Sequence, residues 1–393
     1  MDLSPGAREQ AFRDDARAWL RANVPRGLGS SGTREGFAEH VAWEKKLFEA
    51  RWSVVAWPER YGGRDASLFE WLLFEEEYYL AGAPPRATQN GIFLLAPALF
   101  EFGTDEQKER LLRPMAAAEM LWAQGWSEPG AGSDLAAVSS TAVRTGGGWR
   151  LSGQKTWSTR AAFCDAMHGL FRTDAVGPTA HDSQRSSKQR HKGFTYFLVP
   201  LDAPGVRVRG FARLDGDEDF AEVFLDDVFV ADRDVLGEPG QGWKVAMATT
   251  GSERGLTLRS PGRFLAAATR LIDLYRRRPE PRLRDDVVRA WMDAQAYRLL
   301  TLQAVTKMAD GTPLGAASSV SKLVWSELDV RLHETALELL GPYAELTGDA
   351  PDAIDDGAWI KAYQFALAGP IYAGTNEIQR NVIAERLLGL PKE

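Results

Sequence analysis

The chain has 393 residues, of which 44% are hydrophobic and 26% charged, so it is too large for one core and too apolar for disorder; two or three domains are expected. A formal net charge of −7 excludes general nucleic-acid binding, which needs a basic face, and no apolar run is long enough to span a membrane. The single cysteine, Cys164, excludes an intrachain disulfide and reads as a small buried side chain. The N-terminus has no basic stretch leading into an apolar one, so a cytoplasmic protein without a signal peptide is expected.

From Ala7 to Ala118 apolar residues recur at helical spacing, as in Phe69, Leu72, Leu73 and Phe74, and again in Leu94, Leu95, Ala98 and Leu99. Residues 58–63 and 81–85, rich in Pro and Gly, break the pattern. Thr104 with Glu106 and Gln107 reads as the capped start of a helix ending near Pro114. From Trp122 to Val235 the period becomes two. Strands are predicted at 141–144, 149–152, 195–199, 206–209 and 222–225, with Gly146, Gly147 and Gly148 turning the first hairpin. Residues 173–193 read as a solvated polar loop, and no further Cys or His spacing makes His181 and His191 metal ligands.

From Gly240 helix returns, with long amphipathic runs at 290–308 and 320–340, the second closed by Gly341 and Pro342. Pro261 should kink or restart a helix. Helix and strand are segregated rather than alternating, which predicts an α+β class and argues against a Rossmann sheet. No phosphate-cradling glycine loop is present.

Six motifs stand in order along the chain: Trp126-Ser-Glu-Pro-Gly-Ala-Gly-Ser-Asp134, Lys155-Thr-Trp-Ser-Thr159, Glu222-Val-Phe-Leu-Asp-Asp-Val228, Gly240-Gln-Gly-Trp-Lys244, Gly374-Thr-Asn-Glu-Ile-Gln-Arg380 and the Ile383–Gly389 stretch. In this register they resemble the signatures of the acyl-CoA dehydrogenase family of flavoproteins, over roughly residues 7–390. The resemblance implies a helical N-terminal domain (1–120), a middle β-barrel domain (121–235) and a C-terminal four-helix bundle (236–393). It also implies FAD in the cleft between the last two, completed by a neighbouring subunit. By the same resemblance Trp126 and Ser127 approach the isoalloxazine, and Ser133 lies near the cofactor or the CoA pantetheine. Trp157 and Thr159 pack on the other side of the flavin, while Thr375 and Glu377 meet the adenylate.

The implied chemistry takes a proton from the carbon alpha to a thioester and a hydride from the beta carbon. Such a weak carbon acid needs a carboxylate base and donors for the developing enolate oxygen. Many relatives carry a Glu directly before the Gly-Thr of the C-terminal motif; here that position is Ala373, whose methyl group cannot accept a proton. Its backbone N–H retains the second role, polarising the thioester carbonyl. Branched-chain and long-chain members carry the base as a Glu-Arg pair elsewhere, and Glu253-Arg254 stands at the matching place. Glu253 is therefore the candidate base, with Arg254 holding its carboxylate or contacting CoA. The relatives' Arg-x-x-Phe-Gly contact to the neighbouring FAD is replaced here by the arginine-rich stretch 276–284.

The resemblance implies an FAD-dependent dehydrogenase of a bulky or branched acyl thioester. A dimer-of-dimers assembly and an acceptor such as an electron-transfer flavoprotein are implied. Two alternatives stand beside it: a carrier-protein-bound acyl substrate, and a heteromeric complex in which this chain has lost some chemistry at Ala373.

Overall fold

The computed structural model describes residues 5–173, 190–254, 260–312, 314–348 and 350–391, with the backbone alone at 250–254. His181 lies outside the described residues. Two compact units are formed. The first collects Met1–Pro25, Ala66–Pro84 and Arg254–Glu393, and the second collects Arg26–Asp65 and Pro85–Glu253.

The second unit holds α2 (Arg34–Glu49), α4 (Ala96–Phe102), α5 (Asp105–Ala116), all eight strands and α6 (Gly242–Arg254), whose last residue belongs to the first unit. The strands are β1 (Trp122–Gly125), β2 (Thr141–Thr145), β3 (Gly148–Thr159), β4 (Ala166–Arg172), β5 (Phe194–Pro200), β6 (Val206–Phe211), β7 (Phe220–Ala231) and β8 (Val235–Leu236). They form one sheet in the order β6-β7-β3-β2-β4-β5-β8, with β1 added parallel to β4. Side chains from every strand meet in a single core around Leu151, Phe171, Phe197 and Val223, so the sheet curls over itself. All five predicted strands are present, but β4 was not legible. Each of its seven residues is buried, His168 and Arg172 included, so it shows no alternation.

The α5 helix begins as the sequence predicts. Thr104 Oγ1 accepts from Gln107 N, and Gln107 Oε1 accepts from Thr104 N. It runs two residues past Pro114, because a proline ring obstructs only the turn before it. The apolar run beginning at Leu94 opens inside a π-helical turn over Asn90–Leu95, entirely buried, which then passes into α4. Cys164 is half-buried against the β core, and burial pushes its thiol up to about 12, leaving it inert.

The first unit is helical: α1 (Ala7–Asn23), α3 (Leu68–Leu80), α7 (Pro261–Arg277), α8 (Arg284–Ala309), α9 (Ser318–Leu340), α10 (Ala358–Ala366) and α11 (Asn376–Val382). Pro261 restarts the chain as the first residue of α7, with Ser260 capping it through Gly262 N. Phe264, Leu271, Tyr297, Trp325, Leu328 and Leu332 form the shared core of α7, α8 and α9. Gly262 lets α7 reach α3, since a Cβ there would lie 2.5 Å from the Glu75 carbonyl oxygen. Buried carboxylates on α3 join the helices around it: Glu77 accepts from Arg13 and Arg17 of α1, and Glu76 from Arg298 of α8. No helix among the described residues is long and apolar enough to cross a membrane.

Candidate active site

Two of the motifs meet in the second unit. The Thr156 N–H donates to the Ser127 carbonyl at 2.9 Å, so the segment after β1 lies along the end of β3. On either side of Ser127 the side chains turn inward. The Trp126 indole N–H donates to Tyr196 Oη at 2.9 Å, and Tyr196 Oη lies 2.6 Å from His168 Nδ1. Glu128 accepts from Lys155 Nζ at 2.8 Å, from Ser139 N at 2.7 Å and from Ser140 N at 2.9 Å. With its neighbours anchored and its carbonyl taken, Ser127 keeps a half-buried hydroxyl for other partners. The loop beyond carries Ser133, exposed, and Asp134, paired with Arg190.

Charge within this anchor is balanced differently at its two ends. Burial alone would raise the Glu128 carboxyl, but the Lys155 ammonium and the serine donors outweigh it and hold the group at about 2. Lys155 has no exposed surface, and there burial prevails over the attraction of Glu128 and lowers its pKa. His168 is also fully buried, and burial lowers it to about 3, so it stays neutral. The Asn90 backbone acts weakly in the opposite direction, and His168 Nε2 is buried without a hydrogen-bond partner among the described residues.

Trp157 breaks the alternation of β3. It has a left-handed φ of 57° where β3 slips against β7 between Lys155 and Ser158. The bulge turns its indole out, 60% exposed, while Lys155 and Ser158 on either side point into the protein. Phe211 and Phe220 support the ring edge-on, with centroids 5.2 and 5.5 Å away. Thr159 ends the strand half-buried, and its carbonyl accepts from Asn90 Nδ2 at 3.2 Å. An exposed indole on an aromatic support, beside an anchored segment with a hydroxyl to offer, suits a flat heteroaromatic ligand such as a flavin.

The Gly240–Lys244 motif fixes the start of α6. The Gly240 N–H donates to Thr195 Oγ1 at 3.0 Å. A Cβ on Gly242 would lie 2.7 Å from the Thr195 backbone carbon, so only glycine permits this approach to β5. Trp243 stacks on His191, with centroids 4.1 Å apart and planes within 9°. Glu253 and Arg254 are the last residues of α6, and their side chains lie outside the described residues.

The C-terminal motif builds a turn in the first unit. Ala373 and Gly374 both take left-handed φ, 57° and 80°. Gln379 Nε2 closes the turn by donating to the Gly374 carbonyl at 3.1 Å. Thr375 caps α11 through Ile378 N at 3.3 Å. Asn376 is buried, its Oδ1 accepting from Lys322 Nζ at 2.7 Å and Ser326 Oγ at 3.1 Å, both on α9. Glu377 is exposed, and the N–H groups at the helix start and the Thr375 hydroxyl draw its carboxyl below the ordinary value. Of the arginines at 276–284, Arg276 and Arg277 pair with Asp273 and Asp355, and Arg282 lies near Glu280.

Thus Trp126, Ser127, Trp157 and Thr159 share one unit, and Ala373, Thr375 and Glu377 share one turn of the other. The sequence reading missed the residues that hold them: Glu128, Lys155, Tyr196, His168, Gln379, Asn376 and Lys322. Several lie within the motifs already quoted. Their pairing across the chain leaves no periodic trace.

Known proteins share this chain's sequence and fold. The acyl-CoA dehydrogenase N-terminal domain matches residues 6–119, the middle domain residues 123–228 and the C-terminal domain residues 240–388. The chain is 39% identical to acyl-CoA dehydrogenase IpdE1 of Mycobacterium tuberculosis, over 98% of both chains. It is 37% identical to acyl-CoA dehydrogenase FadE34 of the same organism, over 97% of this chain and 53% of that one. Among solved structures, the ChsE4-ChsE5 complex from Mycobacterium tuberculosis matches with a TM-score of 0.84 at 25% identity, covering 100% of both chains. The Tcur3481-Tcur3483 steroid ACAD matches with a TM-score of 0.85, also at 25% identity and 100% of both chains.

Proposed function

The chain belongs to the acyl-CoA dehydrogenase family, and from that premise we propose that it dehydrogenates a bulky acyl-CoA thioester at the alpha and beta carbons, using bound FAD. The observation that carries the cofactor reading is the anchored Trp126-Ser127-Glu128 segment bonded to β3 beside the outward Trp157 indole. Bound FAD supplies the acceptor for the hydride leaving the beta carbon. Trp126 main-chain groups and the Ser127 hydroxyl hold its polar edge, and Trp157 and Thr159 pack against it. Thr375 and Glu377 meet the adenylate end, and Ser133 the pantetheine or the cofactor. Glu253 accepts the alpha proton, Arg254 orients that carboxylate or contacts CoA, and the Ala373 N–H donates to the thioester oxygen as negative charge develops there.

A bulky acyl group is supported by the base location at Glu253 and by similarity to a protein described as a steroid ACAD. One matched structure is described as the ChsE4-ChsE5 complex, and another carries the paired name Tcur3481-Tcur3483. With Ala373 in place of a carboxylate, this supports a heteromeric assembly as well as a homomeric one. The electrons taken from the substrate would leave to an acceptor such as an electron-transfer flavoprotein.

The purified chain should be yellow, and a panel of acyl thioesters should identify one that bleaches the flavin band. A colourless protein that takes up no FAD, alone or with a candidate partner chain, overturns this function. The oligomer reading has its own support on α8. Val288, Trp291, Met292 and Leu299 are exposed there, while Val287, Ala290, Ala294 and Tyr297 face the core. Light scattering at micromolar concentration should show a dimer of dimers; a monomer that still holds FAD refutes that assembly.

A further inference from the structure

The indole of Trp126 reaches into the sheet, to Tyr196 on β5. Its N–H can only donate, and it occupies a lone pair of Tyr196 Oη at 2.9 Å. The same Tyr196 Oη lies 2.6 Å from His168 Nδ1, so the hydroxyl bridges the indole and the imidazole. Tyr196 and His168 have no exposed surface. They are cross-strand neighbours on β5 and β4, since β4 and β5 pair with His168 opposite Leu198 and Leu170 opposite Tyr196. Their rings lie 5.9 Å apart at 30°, and the Trp126 ring meets Tyr196 edge-on at 89°.

We propose that Tyr196 and His168 are positioning residues for the cofactor: the chain Trp126–Tyr196–His168 fixes the rotation of the Trp126-Ser127 backbone, so that the Ser127 hydroxyl and the Trp126 main chain face the flavin. The inference rests on the FAD reading above. Its physical basis is the position of Ser127 between two buried tethers. One is the indole chain into β4 and β5, and the other is Glu128 on Lys155. With the Ser127 carbonyl also held by Thr156 N, the segment has little freedom left. Loss of the indole tether frees one side, and a cofactor must then pay the ordering cost on binding. The 2.6 Å contact between Tyr196 Oη and His168 Nδ1 holds the far end of this chain within the sheet.

The test compares the full-length wild type with Tyr196→Phe, Trp126→Phe and the double variant. FAD is titrated into each apoprotein, and the flavin absorption band and apoprotein melting temperature are recorded. Each single variant should raise the FAD dissociation constant by about tenfold and shift the flavin band. The double variant should be no weaker than the worse single one, because both changes cut the same tether. Trp126→Phe leaves the Tyr196–His168 bond intact, and it decides the matter if Tyr196→Phe fails to fold. Unchanged FAD affinity and spectrum in the folded variants, with only a lower melting temperature, overturn the inference and leave the cofactor reading standing. Wild type that binds no FAD overturns both.

Discussion

Glu253→Gln is expected to retain FAD and thioester binding while slowing substrate-dependent bleaching of the flavin by about 10²–10⁴-fold or more. Glutamine keeps the shape and hydrogen bonding of glutamate but accepts no proton at neutral pH. The alpha carbon is a weak acid, so water is a poor substitute for a positioned carboxylate. The expectation rests on motif register and on the anchored start of α6, where Gly242 and Trp243 dock against β5 and His191. From there the 13 residues of α6 carry the chain to Glu253 and Arg254. Ala373→Glu supplies the complementary arm. The backbone there is already left-handed at a non-glycine residue, so a larger side chain needs no new backbone conformation. In a Glu253→Gln background it should restore part of the bleaching. Near-normal flavin reduction by Glu253→Gln alone would place the base elsewhere, on this chain or on a partner.

The legible parts of the fold are those with local chemistry. The Thr104–Gln107 capping box, the Gly146–Gly148 hairpin and the restart at Pro261 each depend on neighbouring residues, and each is found. Strand β4 was illegible because burial of both faces removes alternation, and its His168 and Arg172 look misplaced until Tyr196 and the Ala136 carbonyl are seen to receive them. The π turn at Asn90–Leu95 has the same apolar composition as an ordinary helix. In the candidate site, Trp126, Ser127, Ser133, Trp157, Ala373 and Thr375 lie in loops, a bulge, a turn and a helix cap. What holds them there is long-range pairing. Glu128 and Lys155 are 27 residues apart, and Lys322 and Asn376 are 54 apart. No window of local sequence contains both partners. The exposed turn at Trp157 is also a long-range effect, produced by the slip of β3 against β7 rather than by the residues of β3 alone.

The second large effect is expected at Lys155. Its ammonium donates to Glu128 Oε1 at 2.8 Å and to the Leu170 carbonyl at 2.7 Å, and it sits over the Phe171 ring at 4.5 Å. Both partners are buried, so the desolvation of the intact pair offsets much of its attraction. Breaking it is another matter, because Lys155→Met leaves a buried carboxylate without its counter-ion, at a cost of about 3–5 kcal/mol. A urea titration of the apoprotein should show that loss, and FAD binding should fail because Ser127 and Thr156 are no longer held together. Lys155→Met with Glu128→Leu should recover most of the stability, as expected for a coupled pair replaced by apolar groups. The acid dependence follows from the same pair. The Glu128 carboxyl is held at about 2 in the fold against an ordinary 4.5, so its contribution is complete above 4.5 and disappears as pH falls towards 2. Glu128→Gln should therefore be less stable than wild type at neutral pH, yet decline less steeply across that window. Wild-type urea resistance and FAD affinity in Lys155→Met would mean that the two motifs are joined by the Thr156–Ser127 backbone bond alone.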